Sequence, residues 1–302
     1  MKNFLIAFIS VSLLVSCNSP RSNNSDSNAS ADSEAVVQPG PSFSLTEIWR
    51  TDSVLRTCES VLFDETRQLL FVACINGAPD EKNGAGYISM LDPDGNVTSL
   101  EWVTGLDAPK GMGISGDQLF VTDIDRLVVI DIDKAVIKKR IPVEGASFLN
   151  DIDISAEGEV YFSDSGTGIL WIYSNGELKQ WVTEGLDRPN GLYIEENRVL
   201  LTCSESQDLK IIDKNTGEYK TVTTDIGRGD GVQYTGNEGY YLTSSWSGEL
   251  FLILPDFSRI SLLKTSDQGI NSADIAFNID NQVVYVPTFF DNRVVAYKLN
   301  SN

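Results

Sequence analysis

The sequence predicts an all-β fold, a six-bladed β-propeller built from four-stranded antiparallel blades. Three observations predict it. A unit of about 40 residues recurs, each copy contains short alternating apolar segments separated by turns, and helical periodicity is nowhere sustained. The units begin at spacings of 51, 40, 40, 40 and 43 residues. Their first positions, called the leading positions here, are Glu59, Lys110, Asn150, Asn190, Asp230 and Ala273.

Each of the first five units supplies the four strands of one blade. In the fourth unit an apolar segment at 190–194 is followed by a Glu-Glu-Asn-Arg turn and a second segment at 199–203. A third strand follows at 209–213, and the third unit illustrates the fourth strand at 180–183. β-branched and aromatic residues dominate these segments, as is typical of strands. A β-sandwich is the rival architecture, but sandwiches do not repeat so regularly.

The ring of blades is predicted to close through the N-terminal strand. The sixth unit holds only three strands before the chain stops at Asn302, and a strand-like segment at 44–49 precedes the first unit. Pairing this segment with the last blade removes the open edges that a linear array would leave. We therefore expect the propeller to occupy residues 43–302.

The first residues indicate export and lipidation. Lys2 precedes an apolar run at 4–15, and Leu-Val-Ser then leads to Cys17, a pattern that resembles the bacterial lipobox. We expect residues 1–16 to be a lipoprotein signal peptide and Cys17 to carry the lipid, although an ordinary secretory peptide with a chance cysteine is the alternative. Residues 17–42 are rich in Ser, Asn, Asp and Ala and predict a disordered tether. The protein is then anchored in the bacterial cell envelope, either periplasmic or on the surface.

Composition excludes several function classes. The chain contains no histidine, so mechanisms that need an imidazole base are excluded. Its net charge of −20 repels a phosphate backbone, which makes nucleic acid an improbable partner. Any metal must be held by oxygen or thiolate ligands. The predicted partners are a small-molecule ligand and the membrane, and the chain is expected to be monomeric.

Oxygen-bearing side chains predict a cation site on the propeller axis. The first strand of each propeller blade lines the central channel, so the leading residues converge at one end of it. Glu59, Asn150, Asn190 and Asp230 bring two carboxylates and two carboxamides to that end. Calcium prefers hard oxygen donors in flexible geometry. The alternative is that polar groups merely line a wet channel.

Four short motifs resemble the family of regucalcin (senescence marker protein), gluconolactonase and luciferin-regenerating enzyme. They are Cys58-Glu59-Ser-Val, Asn150-Asp151, Arg188-Pro-Asn-Gly-Leu192 and Gly229-Asp230-Gly231, and their order and spacing span the whole propeller. The resemblance implies a six-bladed propeller with one divalent cation, calcium most plausibly, held by Glu59, Asn190 and Asp230. It also implies that Asn150 contacts the substrate or a metal-bound water. Asp230 would further serve as the catalytic base for lactone hydrolysis.

Two departures from the family pattern affect the substrate expectation. Lactonases of the family carry an arginine two residues before the position of Asn150, where this chain has Phe148. A phenylalanine cannot donate hydrogen bonds to sugar hydroxyls, so a more apolar lactone or ester is expected. Lys110 is expected either to point at the ligand, to pair with Glu59 or Asp230, or to be a solvated lysine at a blade junction. The sequence thus predicts a cation-dependent hydrolase of lactones or related esters, with a non-catalytic ligand-binding propeller as the alternative.

Three further features carry open expectations. Cys58 and Cys74 fall opposite each other in a hairpin and are a possible disulfide. Trp246 and Trp171 stand near third-strand starts and either stack on a ligand or pack between blades. The long connection at 76–86 is either a lid over the channel or a tolerated insertion.

Overall fold

The computed structural model describes residues 42–301, and within them the chain forms six four-stranded antiparallel sheets arranged as propeller blades. The predicted fold class is confirmed. The predicted signal peptide, the lipidation site Cys17 and all but the last residue of the tether lie outside the described residues. In the described part, no helix is long and apolar enough to span a bilayer.

The strands follow one another around the ring in chain order. The first strand is β1 (Phe43–Arg50). Blade 1 comprises β2 (Cys58–Asp64), β3 (Leu69–Cys74), β4 (Gly86–Leu91) and β5 (Val97–Leu106). Blade 2 comprises β6 (Pro109–Ser115), β7 (Gln118–Asp123), β8 (Arg126–Asp131) and β9 (Val136–Pro142). Blade 3 comprises β10 (Leu149–Ile154), β11 (Val160–Asp164), β12 (Ile169–Ser174) and β13 (Glu177–Val182).

The second half of the ring has the same organisation. Blade 4 comprises β14 (Pro189–Ile194), β15 (Arg198–Cys203), β16 (Asp208–Asp213) and β17 (Tyr219–Thr224). Blade 5 comprises β18 (Gly229–Tyr234), β19 (Tyr241–Ser245), β20 (Glu249–Ile253) and β21 (Arg259–Lys264). A short 3₁₀ helix (Ser266–Gln268) leads to blade 6, which comprises β22 (Ala276–Asn278), β23 (Val283–Pro287) and β24 (Val294–Ser301).

The N-terminal strand completes the last blade, as predicted. β1 pairs antiparallel with β24, from Phe43 opposite Ser301 to Arg50 opposite Val295. The sheet order in this blade is therefore β1-β24-β23-β22. This pairing joins the two ends of the domain and closes the ring of blades.

Apolar side chains fill the spaces between neighbouring blades. Each blade presents one face to the preceding blade and the other face to the next, so most of its residues in the second and third strands are buried on both faces. One cluster joins blades 1 and 2 through Phe71, Ile88, Leu119 and Val128. Burial of this kind is the main stabilising contribution, because it removes apolar surface from water around the whole ring.

The two hairpin cysteines are opposed in register but are free thiols in this structure. Cys58 pairs with Cys74 across β2 and β3, and both are fully buried. The Cys58 Sγ donates to the Arg293 carbonyl oxygen at 3.0 Å, whereas the Cys74 Sγ lies 3.7 Å from the Ser89 hydroxyl. The sulfur atoms thus have separate hydrogen-bond partners, and the disulfide stays a prediction.

Candidate functional site

The leading residues occupy the same position in five blades. Glu59, Lys110, Asn150, Asn190 and Asp230 are each the second residue of the innermost strand of their blade, β2, β6, β10, β14 and β18. In all five strands the pairing register with the next strand shifts at this point. A bulge turns a side chain away from the regular alternation, so these side chains point to the channel end instead of packing between blades.

Close contacts between innermost strands explain why glycine follows several leading residues. A Cβ atom at Gly191 would lie 1.9 Å from the Asp230 carbonyl oxygen, and one at Gly111 would lie 2.5 Å from the Asp151 Cα. A hydroxyl then ties neighbouring blades together, because Thr202 Oγ1 accepts from the Gly191 N–H at 2.9 Å and donates to the Asp230 carbonyl oxygen. The Asn-Gly pair thus allows the backbones to approach closely enough to bring their side chains to one spot.

One cavity contains the five leading side chains. Its volume is about 300 Å³, near the lower end of the range for small-molecule sites. Glu59, Lys110, Asn150, Asn190 and Asp230 all line it, although each side chain is itself almost fully buried. Ala273 is fully buried and does not line the cavity; the innermost strand of its blade begins only at Ala276.

The predicted metal ligands carry oxygen atoms without protein partners. Asn190 Nδ2 donates to Asp230 Oδ1 at 3.1 Å, which leaves Asn190 Oδ1 buried and unpaired. Glu59 Oε2 is also buried and has no hydrogen-bond partner. A buried oxygen without a donor costs roughly 1–3 kcal/mol, so such atoms indicate a missing partner. Two carboxylates and a carboxamide with free lone pairs fit a hard divalent cation such as calcium.

Burial governs the protonation of the site acids. Burial raises the pKa of Asp230 well above its usual range, and the neighbouring Glu59 and Asp274 carboxylates raise it further. Burial likewise raises the pKa of Glu59, although the Lys110 charge opposes that rise. Between residues 42 and 301, no three or more Asp, Glu or Cys side chains form a cluster suited to a metal. The predicted ligand set instead combines two carboxylates with one amide.

The three residues predicted to bind substrate lie beside this set. Asn150 Nδ2 donates to the Ser165 hydroxyl at 3.1 Å. Asp164 accepts the Phe148 N–H at 2.9 Å, which fixes the loop carrying that ring at the cavity wall. Each of these contacts comes from the neighbouring strand β11 or the residue just after it.

Lys110 is anchored by carbonyl groups instead of carboxylates. Its Nζ donates to the carbonyl oxygens of Pro79 at 2.8 Å and Ala108 at 3.1 Å, and it lies 4.3 Å from the centroid of the Phe148 ring. The solvated-lysine alternative is wrong, since the residue is 1% exposed. Within residues 42–301, Lys110 also forms no ion pair with Glu59 or Asp230. One of the three ammonium hydrogens is left for a ligand.

The structure adds residues to the site that the sequence reasoning did not select. Arg188 and Arg228 line the cavity, as do Phe289 and Phe290. Each arginine lies two residues before a leading position, which is the place that Phe148 occupies in blade 3. A comparison of the position two residues before the leading residue in every blade, and not only in blade 3, would have found both arginines.

The structure gives the positions of both tryptophans and of the long connection. Trp246 lines the cavity, whereas Trp171 is 6% exposed and packs in the cluster between blades 2 and 3. Pro79, in the connection at 76–86, also lines the cavity and accepts from Lys110. That connection therefore forms part of the site wall.

A second, larger cavity lies at the other end of the channel. Its volume is about 470 Å³, and its wall includes residues 64–66 at the far end of β2. Asp151, Asp153 and Asp274 line it. We call the end with Glu59 and Asp230 the site end and this one the far end.

Comparison with solved structures shows where this architecture recurs. A gluconolactonase from Xanthomonas campestris superposes with a TM-score of 0.65 at 13% identity, covering 82% of this chain and 89% of its own. A second protein, assigned as a gluconolactonase, superposes with a TM-score of 0.64 at 13% identity, and the match covers 86% of this chain and 93% of its own. The fold is that of the gluconolactonases. The structure of a virginiamycin B lyase from Staphylococcus aureus with quinupristin superposes with a TM-score of 0.59 at 11% identity. The match covers 85% of this chain and 99% of the lyase chain. No family model matches the sequence, and no curated protein matches it significantly.

Proposed function

We propose that this protein is a hydrolase of lactones or related esters that depends on a divalent cation, with calcium as the expected ion. The cation would be held by Glu59, Asn190 and Asp230. We further propose that the enzyme acts as a monomer in the bacterial cell envelope, tethered through a lipid on Cys17, on the strength of the lipobox-like sequence.

One observation carries the proposal. Buried oxygens of Glu59 and Asn190 face a cavity without protein partners, although neighbouring polar groups in the same blades are hydrogen-bonded. Unsatisfied acceptors at that depth are stabilised when a cation completes their coordination. The propeller architecture shared with two gluconolactonase structures supports the same proposal.

The chain offers the groups that hydrolysis needs. When bound, a divalent cation polarises the carbonyl of the substrate. Asp230 takes a proton from the attacking water, whose oxygen forms a bond with the carbonyl carbon. The acyl C–O bond then breaks, and the departing alkoxide receives that proton, so that the products are a carboxylic acid and an alcohol. In a lactone both groups remain in one hydroxy acid, and no oxidant or reductant is required.

The surroundings of Asp230 suit the role of base. Burial raises the pKa of this carboxyl, and the positive charge of a bound cation would oppose that rise and keep the group ionised. Asn190 donates to one of its oxygens, which orients the carboxylate and leaves the other oxygen for a second contact. Asn150 lies in blade 3, the blade before that of Asn190, and lines the same cavity, where it can position the substrate.

Lyase chemistry of the virginiamycin type is a poorer match. A variant of virginiamycin B lyase with one histidine replaced by alanine is catalytically inactive. This chain has no histidine at all. The oxygen set and the cation it would hold supply the polarisation and the base instead.

The test is turnover of a panel of aliphatic and aromatic lactones and esters, measured with calcium, with chelator, and after calcium is restored. We expect at least one member to be hydrolysed, chelation to lower kcat/KM by about 100-fold or more, and Asp230→Asn to lower it by about 10³-fold. Asp153→Asn is the matched control, because it removes a buried carboxyl at the far end and should retain activity. Hydrolysis that is indifferent to both chelator and Asp230→Asn would contradict the proposal, as would no turnover of any member.

A non-catalytic ligand-binding propeller is the second candidate. Phe148 favours it, because that ring cannot hydrogen-bond a sugar acid and gives the cavity a more apolar wall. Mass spectrometry over several hours would show whether the panel members are converted. Calcium-dependent binding of these compounds without any conversion would support this candidate over the hydrolase.

A further inference from the structure

Two arginines stand at the mouth of the site cavity. Arg188 and Arg228 precede Asn190 and Asp230 by two residues in adjacent blades, and both line the cavity. The Arg228 Cζ lies 4.7 Å from the centroid of the Trp246 ring, and the Arg188 Cζ lies 5.9 Å from that of Phe148. We call Arg188 and Arg228 the arginine pair. Stacking on an aromatic face leaves the edge of a guanidinium group free to donate.

Neither side chain of the arginine pair forms a hydrogen bond or an ion pair with the described part of the protein. Most arginine side chains in the described part of the chain form a hydrogen bond or an ion pair with the protein. The side chains that form neither, within residues 42–301, are those of Arg56, Arg188 and Arg228. Two of these three therefore share one cavity, although the chain has an excess of carboxylates that could pair with them.

The charge of the cavity wall is opposite in sign to that of the whole protein. Lys110, Arg188 and Arg228 contribute three positive charges, against two carboxyl groups from Glu59 and Asp230. The chain as a whole has a net charge of −20. A cationic mouth in an acidic protein attracts anions locally and steers them inward.

An apolar surface completes the mouth. Trp246, Phe289 and Phe290, called the aromatic wall here, pack edge to face at centroid distances of 4.7 to 6.1 Å. Phe290 is 62% exposed although it is large and apolar. An exposed ring beside unpaired guanidinium groups suits a ligand with a flat apolar body and an anionic substituent.

We propose that the ligand of this cavity is an aryl or similarly flat carboxylate, whose carboxylate the arginine pair binds while its apolar body contacts the aromatic wall. Applied to the substrate, this proposal rests on the proposed function. The substrate would then be a lactone or ester that also carries a carboxylate group that does not react. The arginine fork binds a carboxylate through two parallel N–H donors, which gives both affinity and orientation. Binding the remote carboxylate would hold the scissile carbonyl toward Asp230.

The kinetic test compares two dihydrocoumarins that differ in one substituent, a carboxylate in one and a carboxamide in the other. The wild-type protein, loaded with calcium, is expected to favour the carboxylate about 10- to 100-fold in kcat/KM. The double variant Arg188→Gln/Arg228→Gln should lose that preference, so that its kcat/KM values for the carboxylate and the carboxamide lie within about twofold of each other. Arg259→Gln is the control for losing a guanidinium charge away from the cavity, since it removes one such charge from the outer strand β21 and should keep the preference. Equal hydrolysis of the two lactones by the wild type would overturn the inference and leave the proposed function standing.

A binding test separates failure of this inference from failure of the hydrolase proposal. Calorimetric titration with 3-phenylpropanoate and with the neutral 3-phenylpropanamide needs no turnover. We expect the carboxylate to bind at least about 10-fold more tightly, and the double variant to bind both equally. If no lactone is hydrolysed but this preference holds, the hydrolase proposal fails and the ligand class stands. Equal affinities in the wild type, with unfolding midpoints of all variants unchanged, would overturn the ligand class.

Discussion

The two ends of the propeller channel both contain buried carboxyl groups, but they use them differently. At the far end every aspartate is hydrogen-bonded: Asp151 accepts the N–H groups of Ile152 and Leu192, both at 2.7 Å, and Asp274 accepts the Ser60 hydroxyl at 2.6 Å. At the site end, buried oxygens of Glu59 and Asn190 have no partner. The far-end cavity is larger, yet its acids join one blade to the next.

This difference shows that burial of an acid does not by itself mark a functional site. Burial raises the pKa of carboxyl groups at both ends, so the pKa direction alone does not separate them. What separates them is whether the lone pairs are already occupied by donors from the protein. Occupied lone pairs stabilise the ring, whereas free ones are available to a cation or a substrate.

The largest expected effect is a loss of folding stability when a far-end aspartate is replaced. Asp151→Ala leaves two buried N–H groups unsatisfied at about 2 kcal/mol each, so we expect it to lower the free energy of unfolding by about 4 kcal/mol. Asp230→Ala, measured without calcium, removes a group with one hydrogen-bonded partner and should cost about 1 kcal/mol. Urea denaturation of the two variants checks this. Equal losses would break the distinction between the two ends.

The next effect is a pH dependence from the far end. Asp153 accepts N–H groups of Ile154 and Ile194, yet burial raises its pKa to about 6. The folded protein then binds this proton more tightly than the unfolded chain, so stability is present at low pH and is lost as pH rises from about 4 to about 6. A pKa rise of about 2 corresponds to about 3 kcal/mol.

Comparison with Asp153→Asn isolates that contribution. The variant cannot ionise at this position, so its denaturation free energy should fall less than that of the wild type between pH 4 and pH 6. Above pH 7 the difference in denaturation free energy between the wild type and the variant should no longer change with pH. Parallel profiles across the whole range would show that Asp153 keeps an ordinary pKa in the folded state.

The smallest expected effect is cation stabilisation at the site end. Calcium at about 100 times its dissociation constant should stabilise the fold by about 2.7 kcal/mol, or roughly 5–10 °C in Tm for a domain of this size. Asp230→Asn should abolish the shift, whereas Asp153→Asn should keep it. Differential scanning calorimetry with and without chelator measures it. A shift of the same size in both variants would place the bound ion elsewhere.

Repetition in the sequence explains why the fold and most of the site were predictable. Leading residues recur at nearly constant spacing, so Asn150, Asn190 and Asp230 had to fall at equivalent places in consecutive blades. The role of Lys110 was harder to predict, because its carbonyl partner Pro79 belongs to an irregular connection without counterpart in other blades. Arg188 entered the sequence analysis only as the first residue of a motif and Arg228 not at all, because both lie just before the strands, where apolar periodicity carries no signal.

The sequence by itself determined the number of blades, the closure of the ring by the first strand and the set of oxygen-bearing residues that meet at one end of the channel. Each of these follows from local strand patterns repeated along the chain. Only the tertiary structure decided which of those oxygens remain unpaired and which arginines stand over the cavity. The physical reason is that hydrogen-bond satisfaction depends on neighbours from other blades, such as Asp151 with Leu192 and Asn190 with Asp230, each about 40 residues apart in sequence.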